Sequence, residues 1–374
     1  MTAPARCLWF TKGLGRGGVE QLMVDMFPLI DPERFRIDVA YVLPWKDLHH
    51  QALADRGAAV VCLGSSRPGD PRWFGRLRGL LDGGRYALVH THSPLPGVAA
   101  RTVPVRPRPI VVHTEHNLWD RYRWPTRVLN AATFHRNRAV VAVSDRVAAS
   151  IDPPLPRHRP PVVTIHHGTT PDAAVTLTPA ARSDARRALG LDPDRPVVGT
   201  VGNLTAKKDH RTLLRAVADE RVDPGVQLLI VGSGPLDAEL RRYAAELGID
   251  ERVWFLGTRS DVFALLALLD VFVLSSRFEG FPIALVEAMV SGVPVVSTAV
   301  GGVPELIVDH DNGRLVPPGR PGPLGAAITD LLTDRAAASR MAAAGRAAGE
   351  RLDLRHAVTA LESLYTEALA GSPR

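Results

Sequence analysis

One local device recurs along this chain and limits what it can become: a short apolar run, a glycine-rich turn, then a helical pattern. It opens at Gly13-Leu14-Gly15-Arg16-Gly17-Gly18-Val19-Glu20 and returns at Val201–His210, Val231–Pro235 and Val300–Glu305. The runs are apolar on both faces and alternate with helical stretches such as Val19–Pro28 and Pro71–Leu81. That pattern requires a parallel sheet covered on both sides. The first half supplies Arg6–Phe10, Ile37–Leu43, Val60–Leu63, Ala87–Thr91, Ile110–Thr114, Val140–Val143 and Val162–Ile165. After a Pro- and Ala-rich passage around Pro171–Ala185 the rhythm restarts with Val197–Val201, Leu228–Val231, Val253–Leu256, Val271–Leu274 and Val293–Ser297. The stretch from Asp330 to Leu369 reads as helix throughout, with few breakers.

Since domains cluster near ~100–150 residues, 374 residues predict two cores. We expect an α/β chain of two doubly wound domains, 1–170 and 171–354, with a helix near 355–374 that packs back on the first. Open sheets bind ligands at the carboxyl ends of their strands, so two such domains predict a site at a cleft between them. The start lacks the ~7–15-residue apolar stretch of a secretory signal. Val262–Leu274 is interrupted by Asp270 and falls short of the ~20 residues of a membrane span. A cytoplasmic protein with reduced, structural Cys7 and Cys62 is the expectation.

The charge is uneven. Residues 1–170 hold 23 Lys and Arg against 13 Asp and Glu, a net of +10, and the remainder is net −4. Arg121-Tyr122-Arg123-Trp124-Pro125-Thr126-Arg127 interleaves arginines with aromatics. Peripheral contact with an anionic inner-membrane face and a solvated helix face account for this spacing equally well. No nucleic-acid partner is expected.

Each glycine turn at a helix start exposes backbone amides that suit phosphate. Gly13, Gly15 and Gly18 satisfy G-x-G-x-x-G, but the second strand ends in Pro44-Trp45-Lys46 without an acid for a ribose, which argues against a dinucleotide fold. A plain tight turn accounts for any one of these glycines taken alone. Lys207 and Lys208 at the next helix start conflict with its positive end, a conflict an anionic ligand would remove. The most informative segment is Ser276–Met289, which sets Glu279 before a helix and Glu287 eight positions later inside it. Glu279 could simply complement the helix dipole. A carboxylate embedded in an apolar helix is costly without donors, and ribose hydroxyls would supply them.

These residues, with Thr114-Glu115-His116-Asn117, Val143-Ser144-Asp145, His166-His167-Gly168 and Gly301–Glu305, resemble the retaining glycosyltransferases of family 4 over nearly the whole chain. The resemblance implies a GT-B fold, with the nucleoside-diphosphate sugar on the second domain and the acceptor on the first. It implies that Lys208 neutralises the diphosphate, Glu287 holds the ribose and Glu279 contacts the transferred sugar. Gly17 and Gly18 border the phosphates, and Asn203, Gly234, Arg259, Gly280 and Phe281 complete the donor pocket. Asn203 stands where such enzymes commonly have an arginine, for which Arg277 or Arg16 could substitute. His116 matches the histidine beside the sugar, with His113 close enough to be confused with it, and His167 stands where asparagine is common. No metal or other cofactor is implied, because no Asp-x-Asp cluster closes a strand. The acceptor stays open among a lipid-linked or cell-envelope glycan, another sugar and a small natural product. A nucleotide-sugar epimerase, a glycosidase with paired carboxylates and a non-catalytic nucleotide-sugar binding protein are the rival readings.

Overall fold

The structure, a computed structural model, describes residues 3–67, 69–153 and 159–371. Contacts divide the chain into two units: residues up to His167 together with those from Leu354 onward, and Gly168–Asp353.

The first unit carries a seven-stranded sheet of β1 (Ala5–Thr11), β2 (Phe35–Tyr41), β3 (Val60–Cys62), β4 (Leu88–His92), β5 (Ile110–Glu115), β6 (Ala139–Ala142) and β7 (Val162–Thr164). Its order is β3-β2-β1-β4-β5-β6-β7, parallel throughout. Strand β1 shows why its central residues, Cys7–Phe10, are apolar at every step. Cys7 and Trp9 enter the core on one face, with Val39, Val112 and Tyr365, while Leu8 and Phe10 enter another on the opposite face, with Leu77, Val89 and Ala99. The helix Leu354–Ala370 belongs to this unit because Leu354, Val358, Leu361 and Tyr365 fill the first of those cores. Residues 372–374, the end of the helix expected near 355–374, lie outside the described residues.

The second unit carries β8 (Val197–Val201), β9 (Gln227–Val231), β10 (Val253–Gly257), β11 (Val271–Leu274), β12 (Val295–Thr298) and β13 (Arg314–Val316). The order is β10-β9-β8-β11-β12-β13, again parallel. Both sheets are doubly wound and reverse direction beside their first strand, which is where such folds open a crevice for ligands. Strand β13 is absent from the sequence expectation: it has three residues, one of them charged. The C-terminal stretch also differs, since it forms three helices, Pro321–Thr333, Arg335–Glu350 and Leu354–Ala370. Asp334 ends the first and caps the second by accepting from the Ala337 N–H at 2.9 Å. The second break is held by the Thr169 N–H donating to the Leu352 carbonyl at 3.2 Å. No helix of the described residues is long and apolar enough to cross a membrane.

Candidate active site

In the second unit four turns at the carboxyl edge of the sheet lock together. The turn after β8 runs Gly202-Asn203-Leu204-Thr205 into a short 3-10 turn, Ala206–Lys208. Asp209 follows with φ of 46°, and the helix His210–Val217 starts only after it. The turn after β9 passes so close that a Cβ on Gly232, at φ of 136°, would overlap the Gly202 carbonyl, and one on Gly234 would overlap that of Leu204. On the other side Gly301, at φ of 54°, leaves no room for a side chain against the Glu279 carbonyl, and the Gly302 N–H donates to the Gly280 carbonyl at 3.0 Å. The turn after β11 clamps the lysine segment. Its Ser275 Oγ donates to the Lys208 carbonyl at 2.9 Å, and the Arg277 N–H to that of Lys207 at 2.7 Å.

These contacts bring Lys208 and Glu279 together. Lys208 Nζ lies 2.6 Å from Glu279 Oε1, with the two side chains only 13% and 5% exposed. Ser276 Oγ donates to the same oxygen at 2.5 Å, which leaves Oε2 without a hydrogen bond among the described residues. Burial opposes ionisation of Glu279, but the charges of Lys208 and Lys207 and the bonds from Lys208 and Ser276 outweigh it and hold the carboxyl below its usual range. This corrects one expectation. The lysines stand ahead of the helix, not in its first turn, and Lys208 already has a counter-charge in Glu279.

Glu287 sits on the helix Ile283–Val290, where Leu285, Val286, Ala288 and Met289 are buried. It is half-buried and shares its face with Ile283 and Ala284, so it is less enclosed than an apolar flanking sequence suggests. Asn203 is likewise half-buried. Phe281 packs against the core that contains Leu285 and Met289. Arg277 Nε donates to Asp209 Oδ2 at 2.8 Å, while its side chain remains 57% exposed. Arg259 is paired with Asp261 through bonds of 2.6 and 2.8 Å, beside the Gly257–Thr258 step that meets the turn after β9. Sequence reasoning missed Ser275 and Ser276; a serine three residues before a buried acid was the available signal.

In the first unit, the turn from Gly13 enters the helix Gly18–Met26, with Gly17 as its extended N-cap residue. The Glu20 carboxylate folds back over Gly17, so the helix start already faces a negative charge of its own. His113 and His116 are separated by burial. His113 is fully buried, 2.7 Å from Thr91 Oγ1 and 3.2 Å from Glu115 Oε1. His116, one residue past β5, is half-buried.

His116 is part of a row of imidazoles that the sequence reading did not find. His92 Nδ1 lies 3.0 Å from His116 Nε2, and ring centroids are 4.4 Å apart for His90 and His92, 5.3 Å for His92 and His116, and 5.6 Å for His116 and His167. The tautomer of His90 follows from its partners. Trp9 Nε1–H donates to Tyr365 Oη at 3.0 Å, Tyr365 donates to His90 Nδ1, and His90 Nε2–H donates to Thr114 Oγ1 at 2.7 Å. Burial, reinforced by the neighbouring rings, pushes His116 well below the usual imidazole range, His92 to about 3 and His167 to about 4. The row is therefore uncharged near neutrality. Its signal was histidine at alternate positions, 90 and 92, of one strand.

Beside the row, buried Glu115 accepts from Trp119 Nε1 at 2.9 Å, Tyr122 Oη at 2.6 Å and Asn130 Nδ2 at 2.7 Å. These bonds fix the helix Trp124–Thr133, whose Trp124, Val128 and Leu129 are 77%, 55% and 56% exposed among Arg121, Arg123 and Arg127. That is an apolar strip with a basic border.

Residues 181–348 match the family model described as glycosyl transferases group 1, and residues 16–173 match that of glycosyltransferase family 4. A D-inositol 3-phosphate glycosyltransferase of Mycobacterium marinum is 33% identical over 317 residues, which span 78% of this chain and 64% of that protein, just under two thirds of its length. The protein of that name from Mycolicibacterium vanbaalenii is 32% identical over 326 residues, 77% of this chain and 68% of the relative. Among solved structures, Anabaena HepE in complex with UDP-glucose superposes with a TM-score of 0.84 over 97% of this chain and 99% of that one, at 23% identity. A sucrose-phosphate synthase from Thermosynechococcus elongatus gives 0.82 over 98% and 100%, also at 23%. At that identity the likeness is one of fold, and the fold is GT-B.

Proposed function

The chain belongs to the family 4 glycosyltransferases, with a group 1 domain in its second half, and on that premise we propose that it moves a hexose or N-acetylhexosamine from a UDP- or GDP-linked donor to an acceptor hydroxyl, with retained configuration and without metal. The observation that carries this reading is the enclosed Lys208–Glu279 pair, held where the glycine turns of the second sheet meet. A diphosphate arriving there competes with Glu279 for Lys208. Once the ammonium is shared, Glu279 Oε2 accepts from a hydroxyl of the transferred sugar, and Glu287 holds the ribose. The acceptor hydroxyl attacks the anomeric carbon on the face the diphosphate leaves. The C–O bond to the phosphate breaks as the new one forms, the nucleoside diphosphate departs with the bonding pair, and the acceptor's proton passes to it. Lys208 and the turn amides stabilise that charge. His116, uncharged, serves as a hydrogen-bonding group beside the sugar, not as a cation.

UDP-glucose is the first donor to try, because it is the ligand in the HepE complex. A phosphorylated cyclitol is the first acceptor, from the name of the mycobacterial relatives. The exposed strip on the helix Trp124–Thr133 also fits peripheral contact with an anionic membrane in the cytoplasm, which suits a lipid-linked acceptor. One preorganised donor to a developing anion is worth about 2.7–4 kcal/mol, so Lys208→Ala should slow turnover about a hundredfold or more. NMR of the product decides the stereochemistry: an inverted anomeric centre rejects retention, and turnover abolished by EDTA and restored by a divalent cation rejects the metal-free route.

A further inference from the structure

The hydrogen-bonding role of His116 is decided by the ring beside it in the imidazole row. We propose that His92 is a positioning residue: its Nδ1–H donates to His116 Nε2 and so holds His116 in the tautomer that offers an Nδ1–H to an oxygen of the bound sugar. Placing that oxygen beside His116 rests on the proposed function. The tautomer does not, because every group that sets it lies in the first unit.

His92 Nδ1 and His116 Nε2, 3.0 Å apart, share one proton between them. Burial keeps both rings neutral near pH 7, so each carries a single N–H. Were His116 the donor, the proton of His92 would sit on Nε2. That nitrogen is buried and has no partner among the described residues. The neighbouring rings do not serve it. His90 is committed at both ends, accepting from Tyr365 Oη at Nδ1 and donating from Nε2 to Thr114 Oγ1 at 2.7 Å. Neither nitrogen of His167 has a partner among the described residues. Apart from these imidazoles and Thr114, the small hollow that His92 borders is lined by apolar side chains, Trp9, Met23, Val141 and Ile165 among them. A buried N–H without an acceptor is rarer in folded proteins than a bare acceptor lone pair. The proton of His92 therefore lies on Nδ1, where it has an acceptor, and the lone pair is left at Nε2.

Packing holds the ring in place as well. His92 is 6% exposed, and its centroid lies 4.4 Å from that of His90 and 5.3 Å from that of His116. His116 itself is half-buried, and its Nδ1 makes no hydrogen bond among the described residues. With Nε2 occupied, the Nδ1–H is the group left for a ligand. An N–H can bond a hydroxyl, ring or glycosidic oxygen alike, whereas a bare nitrogen needs a hydroxyl proton. The same assignment excludes Nδ1 of His116 as a base for the acceptor hydroxyl.

Histidine-selective nitrogen-15 labelling of the full chain reads the tautomers directly, by long-range proton–nitrogen correlation near neutral pH, with His116→Gln assigning the signals. Wild-type His92 and His116 should each carry the proton on Nδ1. In His92→Asn the side-chain amide nitrogen stands at the branch position of Nδ1 and donates in its place, so His116 should keep its tautomer. In His92→Leu that donor is gone, and His116 should move to protonation at Nε2 or to a mixture. Calorimetric titration with UDP and UDP-glucose then isolates the sugar contact. The preference for UDP-glucose over UDP should fall about fivefold in His92→Leu, the worth of one neutral hydrogen bond, and recover in His92→Asn. A ring that only filled space would leave that preference unmoved. A proton on Nε2 of wild-type His116, which needs no His92 variant to fold, or a tautomer unchanged in His92→Leu overturns the proposal. The expected tautomers with an unmoved preference overturn its ligand half alone. Failure of both nucleotides to bind rejects a UDP-linked donor, while the spectra still decide the role of His92.

Discussion

Replacing Glu279 by glutamine keeps the shape of the side chain and removes the counter-charge of Lys208. At 2.6 Å and an effective dielectric of 20, two unit charges attract by about 6 kcal/mol, part of which is offset by their desolvation. Removing one partner of a buried pair costs ~3–5 kcal/mol. Glutamine still accepts from Ser276, and Lys208 keeps 13% of its surface in water, so the lower end, about 3 kcal/mol, is expected. For a unit of this size that lowers the midpoint of its thermal transition by roughly 6–12 °C. The second half of the prediction separates a binding site from a merely structural ion pair. A nucleoside diphosphate without its sugar supplies the missing negative charge, so it should bind Glu279→Gln more tightly than wild type, by tenfold or more. Nucleoside diphosphate-sugar turnover should fall in the same variant. Calorimetric titration of both proteins with UDP and GDP is the assay. Equal or weaker binding by Glu279→Gln would refute the view that diphosphate and Glu279 compete for one ammonium.

Other expectations follow from the same geometry. Gly301→Ala forces a Cβ into the Glu279 carbonyl at a φ of 54°, and a cost of ~1–3 kcal/mol with weakened nucleotide binding is expected by denaturation and titration; unchanged values would mean the turn can move aside. The imidazoles of His92 and His167 have native values of about 3 and about 4, below 6.5 in the unfolded chain, so the unfolded state takes up protons first as the pH falls. Stability is thus retained above pH 6.5 and lost as pH falls from there toward the native values, by about 1.4 kcal/mol per pH unit for each such ring. Urea unfolding between pH 7 and 5, followed by the buried Trp9 and Trp119, checks this, and a flat profile contradicts it. Trp124→Ser/Leu129→Ser should reduce sedimentation with anionic liposomes while leaving nucleotide affinity unchanged; equal sedimentation would clear this helix of membrane contact.

Most of the strands were legible because a parallel strand covered on both faces is apolar along its buried length, as Cys7–Phe10 of β1 and all of β11 are. Strand β13 was not, since Arg314 at its start looks like a loop residue until it is seen 2.7 Å from Asp330. Ala-rich composition hid the break at Asp334, where one side chain ends a helix and caps the next. Lys208 and Glu279 stood out singly, but 71 residues separate them, and only the interlocking turns put them in contact. The reading of Glu287 as embedded overstated its burial because helix periodicity sets it on the less covered face with Ile283 and Ala284. Of the imidazole row only the alternation of His90 and His92 on β4 was readable; His116 and His167 join it from the end of β5 and the segment after β7, across long stretches of chain.

Calorimetric titration of UDP and GDP into wild type and Lys208→Ala tests the central claim most directly. The account predicts one saturable site for at least one of the two, with affinity reduced tenfold or more in the variant, since a charge-assisted contact contributes about 1.5–3 kcal/mol. Binding of identical strength in both proteins, or none to wild type, would contradict it.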